Sequence, residues 1–219
     1  MQKWRQALLA SAFGLISVTL SLPAGMAAPP APSAEQVLHR MLLMIAGIPR
    51  VVSADAEFRL RVGKALSAPP DCVFHGTVKV VRAHPTVRIG GRTVGLLCWI
   101  ADRYVIGRGF EATERLESFL SRFKFDVLGE KIVEHDRYYL VEGQAKDPRN
   151  DPRAMIGWID FDQGLLAEGT VRYFWGSIDT KQRYTRMQRI WMLTYQYLYS
   201  PRFNASMEIL YSHILFSSQ

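Results

Sequence analysis

The chain has 219 residues, 48% of them hydrophobic and 21% charged, with a net charge of +7. The basic excess is modest and spread without a long block of like charges, and no nucleic-acid-binding motif accompanies it, which excludes a nucleic-acid partner. It suits an anionic membrane surface or an acidic partner instead.

The first segment reads as an export signal. Lys3 and Arg5 precede an uncharged apolar stretch from Ala7 to Leu22, and Gly25-Met26-Ala27 places small residues where a signal peptidase reads. We expect residues 1–27 to be cleaved after Ala27, giving a mature chain of residues 28–219 that is soluble and periplasmic or otherwise extracytoplasmic. The apolar stretch is shorter than the roughly 20 residues of a spanning helix; an uncleaved anchor is the alternative. No cysteine lies near the cleavage site, so lipid modification there is not expected. Removing two basic residues and no acidic ones lowers the net charge from +7 to +5. What remains fits one domain able to bury a substantial core.

Ser33 with Gln36 three residues later is a capping box. It opens a helix carrying Val37, Leu38, Met41, Leu42, Met44 and Ile45, a stripe too broad to face water. Extended segments follow near 55–63, 72–82, 86–100 and 103–107. Two cysteines in an exported chain make a disulfide plausible. A hairpin turned at His84-Pro85-Thr86 would set Cys72 opposite Cys98, although Gly90-Gly91 offers a competing turn or bulge. Two buried thiols are the alternative. Glu111 to Phe123 then reads as a second helix, with Leu116, Phe119, Leu120 and Phe123 on one face.

The remainder is strand after strand: about 124–134, 137–145, 154–161, 168–176, 178–187, 189–198 and 204–216. Turns are signalled at His135-Asp136, Asp162-Gln163-Gly164, Gly176-Ser177 and Pro201-Arg202, and Asp147 to Pro152 reads as a long exposed hairpin loop. Many sequential antiparallel strands with two helices predict an α+β domain, one large curved antiparallel sheet with its helices on one face.

The stretch from Met155 to Tyr184 is the most informative. Its first strand is apolar on both alternation classes, Ile156 and Trp158 on one face, Met155, Ile159 and Phe161 on the other. Such a strand packs something on both faces. A greasy ligand and the protein's own helices both satisfy that requirement.

The order Phe125-Asp-Val-Leu-Gly, Tyr138-Tyr-Leu-Val-Glu-Gly, Ile156-Gly-Trp-Ile-Asp160, Gly164-Leu-Leu and Val171-Arg-Tyr-Phe-Trp resembles the LolA-like lipoprotein-carrier superfamily, including its envelope-stress regulator branch. The likeness covers roughly residues 119–216 and is most specific at the Trp-Ile-Asp-x-x-x-Gly-Leu turn. The resemblance implies a strongly curved half-barrel of antiparallel strands, helices packed on its concave face, and an apolar cavity that holds acyl chains. The Cys72/Cys98 pair and the basic loop at 146–153 depart from the well-studied carriers.

Candidate lining residues for that cavity are Trp99, Phe119, Phe123, Met155, Trp158, Trp175, Trp191 and Met192, whose aromatic and thioether groups offer large, adaptable apolar area. The same side chains would fill a dry core equally well. Arg172 and Arg183 are placed by alternation at an outward or rim position. For catalysis the sequence offers little. The five histidines lack metal-ligand spacing, and neither a Gly-x-Ser-x-Gly elbow nor a phosphate-cradling loop occurs. Glu134, Asp136 and Glu142 flank a turn as solvent-facing charge. No cofactor, metal or catalytic residue is assigned. The function expected is reversible binding of a lipid or acylated protein in the envelope, without chemistry. The alternative is an interaction module that senses envelope state and regulates a membrane-protein partner.

Overall fold

The structure is a computed structural model that describes residues 16–18, 32–46, 51–81, 84–90, 109–111, 116–187 and 190–217. Its elements in chain order are β1 (Ile16–Val18), α1 (Ala34–Ala46), β2 (Val51–Val62), β3 (Cys72–Val81), β4 (His84–Gly90), β5 (Gly109–Glu111), α2 (Leu116–Ser121), β6 (Phe123–Val133), β7 (Asp136–Ala145), β8 (Ala154–Asp160), β9 (Leu165–Tyr173), β10 (Gly176–Met187), β11 (Ile190–Ser200) and β12 (Ala205–Ser217).

The twelve strands form one sheet in the order β5-β4-β3-β2-β12-β11-β10-β9-β8-β7-β6, with β1 beside β11. Every pairing is antiparallel. Strands β6 to β12 run as a meander. β12 then inserts between β11 and β2, joining that meander to the N-terminal one (β2 to β5). The sheet is curved but not closed.

Local sequence explains several boundaries. The capping box forms as the sequence predicts: Gln36 N–H donates to Ser33 Oγ at 3.2 Å, and Ser33 N–H to Gln36 Oε1 at 2.8 Å. At the β8–β9 turn, Gly164 takes φ 65°, a left-handed conformation that glycine adopts at little cost. Its N–H donates to the Asp160 carbonyl at 2.8 Å. The Asp147–Pro152 loop joins β7 to β8 as expected.

Other expectations are corrected. Glu111 belongs to β5, and α2 spans only Leu116–Ser121. Phe123 instead opens β6 opposite Ala145, because the alternating Phe123-Lys-Phe-Asp-Val127 run pairs better as an edge strand than it extends a helix. Pro85 lies inside β4, opposite Val80, rather than in a turn. Among the described residues β5 pairs with β4 at Thr86–Arg88, so Pro85 lies beyond that ladder and its missing N–H breaks no bond of it. The β9–β10 turn falls at Phe174-Trp175, two residues before the expected Gly176-Ser177, and Gly176 already pairs with Tyr173. Arg202 supports the shifted turn by donating from Nη1 to the Trp175 carbonyl at 2.5 Å. Expected strand 103–107 and the end of 86–100 lie outside the described residues.

One row of paired residues crosses nine strands: Val127, Val141, Gly157, Gly169, Thr180, Leu198, Met207, Leu60 and Cys72. Paired residues share a face, so this row defines a continuous core face. On it sit two apolar clusters. The larger joins Val52, Phe58, Phe74, Ile178, Leu198, Met207 and Ile209. The smaller joins Tyr139, Val141 and Ile159 to Val37 of α1, with Met41 packed alongside. Helix α1 therefore covers the β7–β8 part of this face.

Candidate binding surfaces

The register divides the expected cavity residues. Phe125, Gly143, Met155, Val171 and Ile178 form a second row on the core face, one step along from the first. Phe123 shares that face with Phe125, and their ring centroids lie 6.0 Å apart. Phe119 reaches it from α2, 5.3 Å from Phe123. Trp175 closes the far end, stacked on Tyr173 at 5.0 Å and 5.5 Å from Phe203. Met192 belongs to the larger cluster and is fully buried. Trp191, beside it, is half-buried, and its indole Nε1 is buried with no hydrogen-bond partner among the described residues.

Trp158 does not join them. It pairs with Leu140 and Glu168, one residue out of phase with Gly157, and so projects from the outer face. The sequence correctly separates Ile156 and Trp158 from Met155 and Ile159. Placing Trp158 in one cavity with Phe119 and Phe123 contradicts that same alternation and is corrected here. Trp99 lies outside the described residues. Phe123 at 4% exposure and Trp175 at 9% are buried among the protein's own side chains. Arg172 and Arg183 are exposed, as their rim assignment anticipated.

At the helix-covered end the structure adds Tyr139 and Arg40, neither of them a site candidate from the sequence, around Phe161. Tyr139 is 1% exposed and meets Phe161 edge-on at 5.3 Å. Arg40 of α1 lies 4.1 Å from the Phe161 ring centroid and donates to the Phe161 carbonyl at 3.3 Å. The alternation of Tyr139 and Val141 in β7 was the available signal. Nothing local in the sequence connects Arg40 to a residue 121 positions away.

Within the larger cluster the core face carries uncharged polar groups. Gln182 pairs across the ladder with Gln196. Tyr184 donates its hydroxyl to Gln182 Oε1, and Tyr211 donates to Gln196 Oε1 at 3.3 Å. Burial pushes both phenols well above the ordinary tyrosine range, so they stay neutral donors. This patch sets neutral donors and acceptors among apolar side chains.

The outer face differs. A groove of about 460 Å³ is lined by Leu140, Ile156, Trp158, Glu168, Thr170 and Lys181 among others. Lys131 reaches over it, with Nζ 4.2 Å from the Trp158 ring and 3.2 Å from Glu168 Oε1. A more polar groove of about 580 Å³ contains Asp55, Glu57, His75, Arg88 and His213. Among the described residues no group of three His, Cys, Asp or Glu side chains is placed to hold a metal. No described helix is long and apolar enough to cross a membrane.

Cys72 is buried in β3. The β3–β4 register sets His75 opposite Gly90. Cys98, its expected partner, lies outside the described residues.

No family model matches the chain, and no curated protein matches it in sequence. Solved structures do match in fold. A LolA superfamily protein from Nitrosomonas europaea aligns over 86% of this chain and 96% of its own, with TM-score 0.57 and 11% identity. A domain described as outer membrane lipoprotein-sorting, from Vibrio parahaemolyticus, aligns over 84% and 92%, with TM-score 0.57 and 11% identity. A DUF1329 family protein from Desulfovibrio piger aligns over 83% and 90%, with TM-score 0.53 and 11% identity. The fold is LolA-like, as the sequence motifs suggested.

Proposed function

We propose that this protein is an exported, non-catalytic binder of a lipid or acylated protein in the cell envelope. In this reading residues 1–27 are removed, residues 28–219 form one domain, and the helices lie on the concave side of the sheet. The observation that carries it is the continuous core face, where two apolar clusters share one side of an open curved sheet and α1 roofs the β7–β8 part. An acyl chain entering beneath that roof would meet Phe119, Phe123, Met155, Trp191 and Met192, with Trp175 at the far end and Trp99 as a further assigned contact. Burying ten methylenes there contributes about 8 kcal/mol before the costs of association. The neutral Gln182–Gln196 pair would accept an uncharged ester or amide group better than a carboxylate. The LolA-like fold and the lipoprotein-sorting description of one structural neighbour support this reading.

Face assignment provides the test. Phe119→Glu puts a carboxylate on the core face and abolishes uptake of a fluorescent acyl probe, whereas Trp158→Glu, on the outer face, leaves uptake within about twofold, a difference under 0.5 kcal/mol. Both variants are checked for cooperative unfolding. Normal uptake by folded Phe119→Glu protein contradicts the proposal.

A second reading, a module that docks on a membrane-protein partner, draws on the outer face and the open β6 edge. Trp158 lies half-buried in its groove, and Leu128 and Ile132 of β6 are 53% and 67% exposed. A specific partner captured without lipid would favour it.

A further inference from the structure

β11 has an edge that β12 does not use. β12 pairs with β11 only from Tyr195↔Leu210 to Ser200↔Ala205, then follows β2 as far as Ser217↔Val51. It follows β2 through a register slip between Ser212 and Leu215, where His213 takes φ 48°. On its other side β11 remains paired with β10 down to Ile190↔Met187. Among the described residues β12 leaves one side of Ile190–Met192 unpaired, and the chain's own leader fills it: Ile16 pairs with Met192, Ser17 with Trp191 and Val18 with Ile190. Helix α1 packs against both β1 and β6, which places this added strand under the helix.

We propose that the Ile190–Met192 edge of β11 is a strand-addition site for an extended apolar peptide segment of a partner protein. The inference rests on the reading that residues 1–27 are removed from the mature protein. Cleavage after Ala27 takes β1 away and leaves unpaired main-chain donors and acceptors on a strand whose Met192 is fully buried. An exposed strand edge of this kind recruits another strand. The occupant in the structure identifies the chemistry. It is an extended Ile-Ser-Val segment within an apolar stretch, held through backbone pairing in antiparallel register. An acyl chain, having no N–H or C=O along its length, cannot satisfy those groups. The site is therefore a peptide seat formed by the backbone of a strand whose Trp191 and Met192 side chains also belong to the proposed lipid surface.

The test uses the processed protein and a synthetic peptide of residues 13–21, Phe-Gly-Leu-Ile-Ser-Val-Thr-Leu-Ser. Amide hydrogen exchange is followed at Ile190–Met192, with β6 as the reference edge. The peptide slows exchange there on the order of tenfold, while the same peptide carrying Ser17→Pro, unable to complete the ladder, does not. Absent slowing, equal slowing by the proline peptide, or slowing by an acyl probe but not by the peptide overturns the proposal. So does a mature protein that retains Met1 and already protects Ile190–Met192. If the peptide protects the edge while the acyl probe shows no uptake, strand addition stands and the lipid reading falls.

Discussion

Asp160 ends β8 with 4% of its surface exposed, and its Oδ1 accepts the Gln163 N–H at 2.9 Å. Burial, reinforced by the nearby carboxylates of Asp136 and Asp162, pushes its carboxyl up to about 6 from the ordinary 3.8, although the turn N–H groups oppose the shift. A carboxyl whose folded pKa is raised favours the folded state while protonated. Its contribution is complete below pH about 4 and is lost as pH rises through about 6. We predict that stability falls by about 1 to 2 kcal/mol across that window, the partly hydrated turn reducing the full linkage value. Asp160→Asn, which keeps the acceptor oxygen, removes that slope. Chemical denaturation of both proteins at pH 4, 5, 6 and 7 measures it, and an unchanged slope in the variant contradicts the assignment. The two faces of β8 were legible in alternation alone. That Trp158 and distant Phe119 take opposite faces was not, because their relation depends on register through β7 and on the chain direction out of α2.

At the scale of elements, signals contained within a few residues carried over best. The Ser33/Gln36 box capped α1, and Asp162-Gln163-Gly164 made the β8–β9 turn. Signals needing a non-local decision did less well. The helical spacing of Leu116, Phe119, Leu120 and Phe123 is real, yet Phe123 also begins an alternating run that β7 can pair, and the ladder takes it. Likewise Trp175 is drawn back over Tyr173, so the β9–β10 turn precedes the glycine that announced it. The disulfide belongs at this scale too. We propose that Cys72 and Cys98 are joined by a disulfide. A bridge closing a loop of about 25 residues adds roughly 3 kcal/mol in the chain-entropy model. Thiol labelling of denatured, unreduced protein is expected to find no free cysteine; two labelled cysteines reject the bridge.

Across the whole molecule, one register row orders the fold. Because residues from Val127 to Cys72 share a face through nine strands, two meanders distant in sequence present a single apolar side. The many strands and the LolA-like motifs were legible in the sequence. The insertion of β12 between β11 and β2 is a long-range pairing that no local pattern encodes. It also creates the open end of β11. We therefore propose that lipid lies against the core face and that the outer-face groove around Trp158 has no part in uptake.

Native mass spectrometry of the processed protein, purified from the envelope without detergent, tests the central claim most directly. The account predicts a mature mass beginning at Ala28 together with a non-covalent adduct of lipid or acylated peptide, present in Trp158→Glu and missing from folded Phe119→Glu. A processed, folded wild-type protein that carries no adduct and acquires none when offered acyl lipid would contradict it.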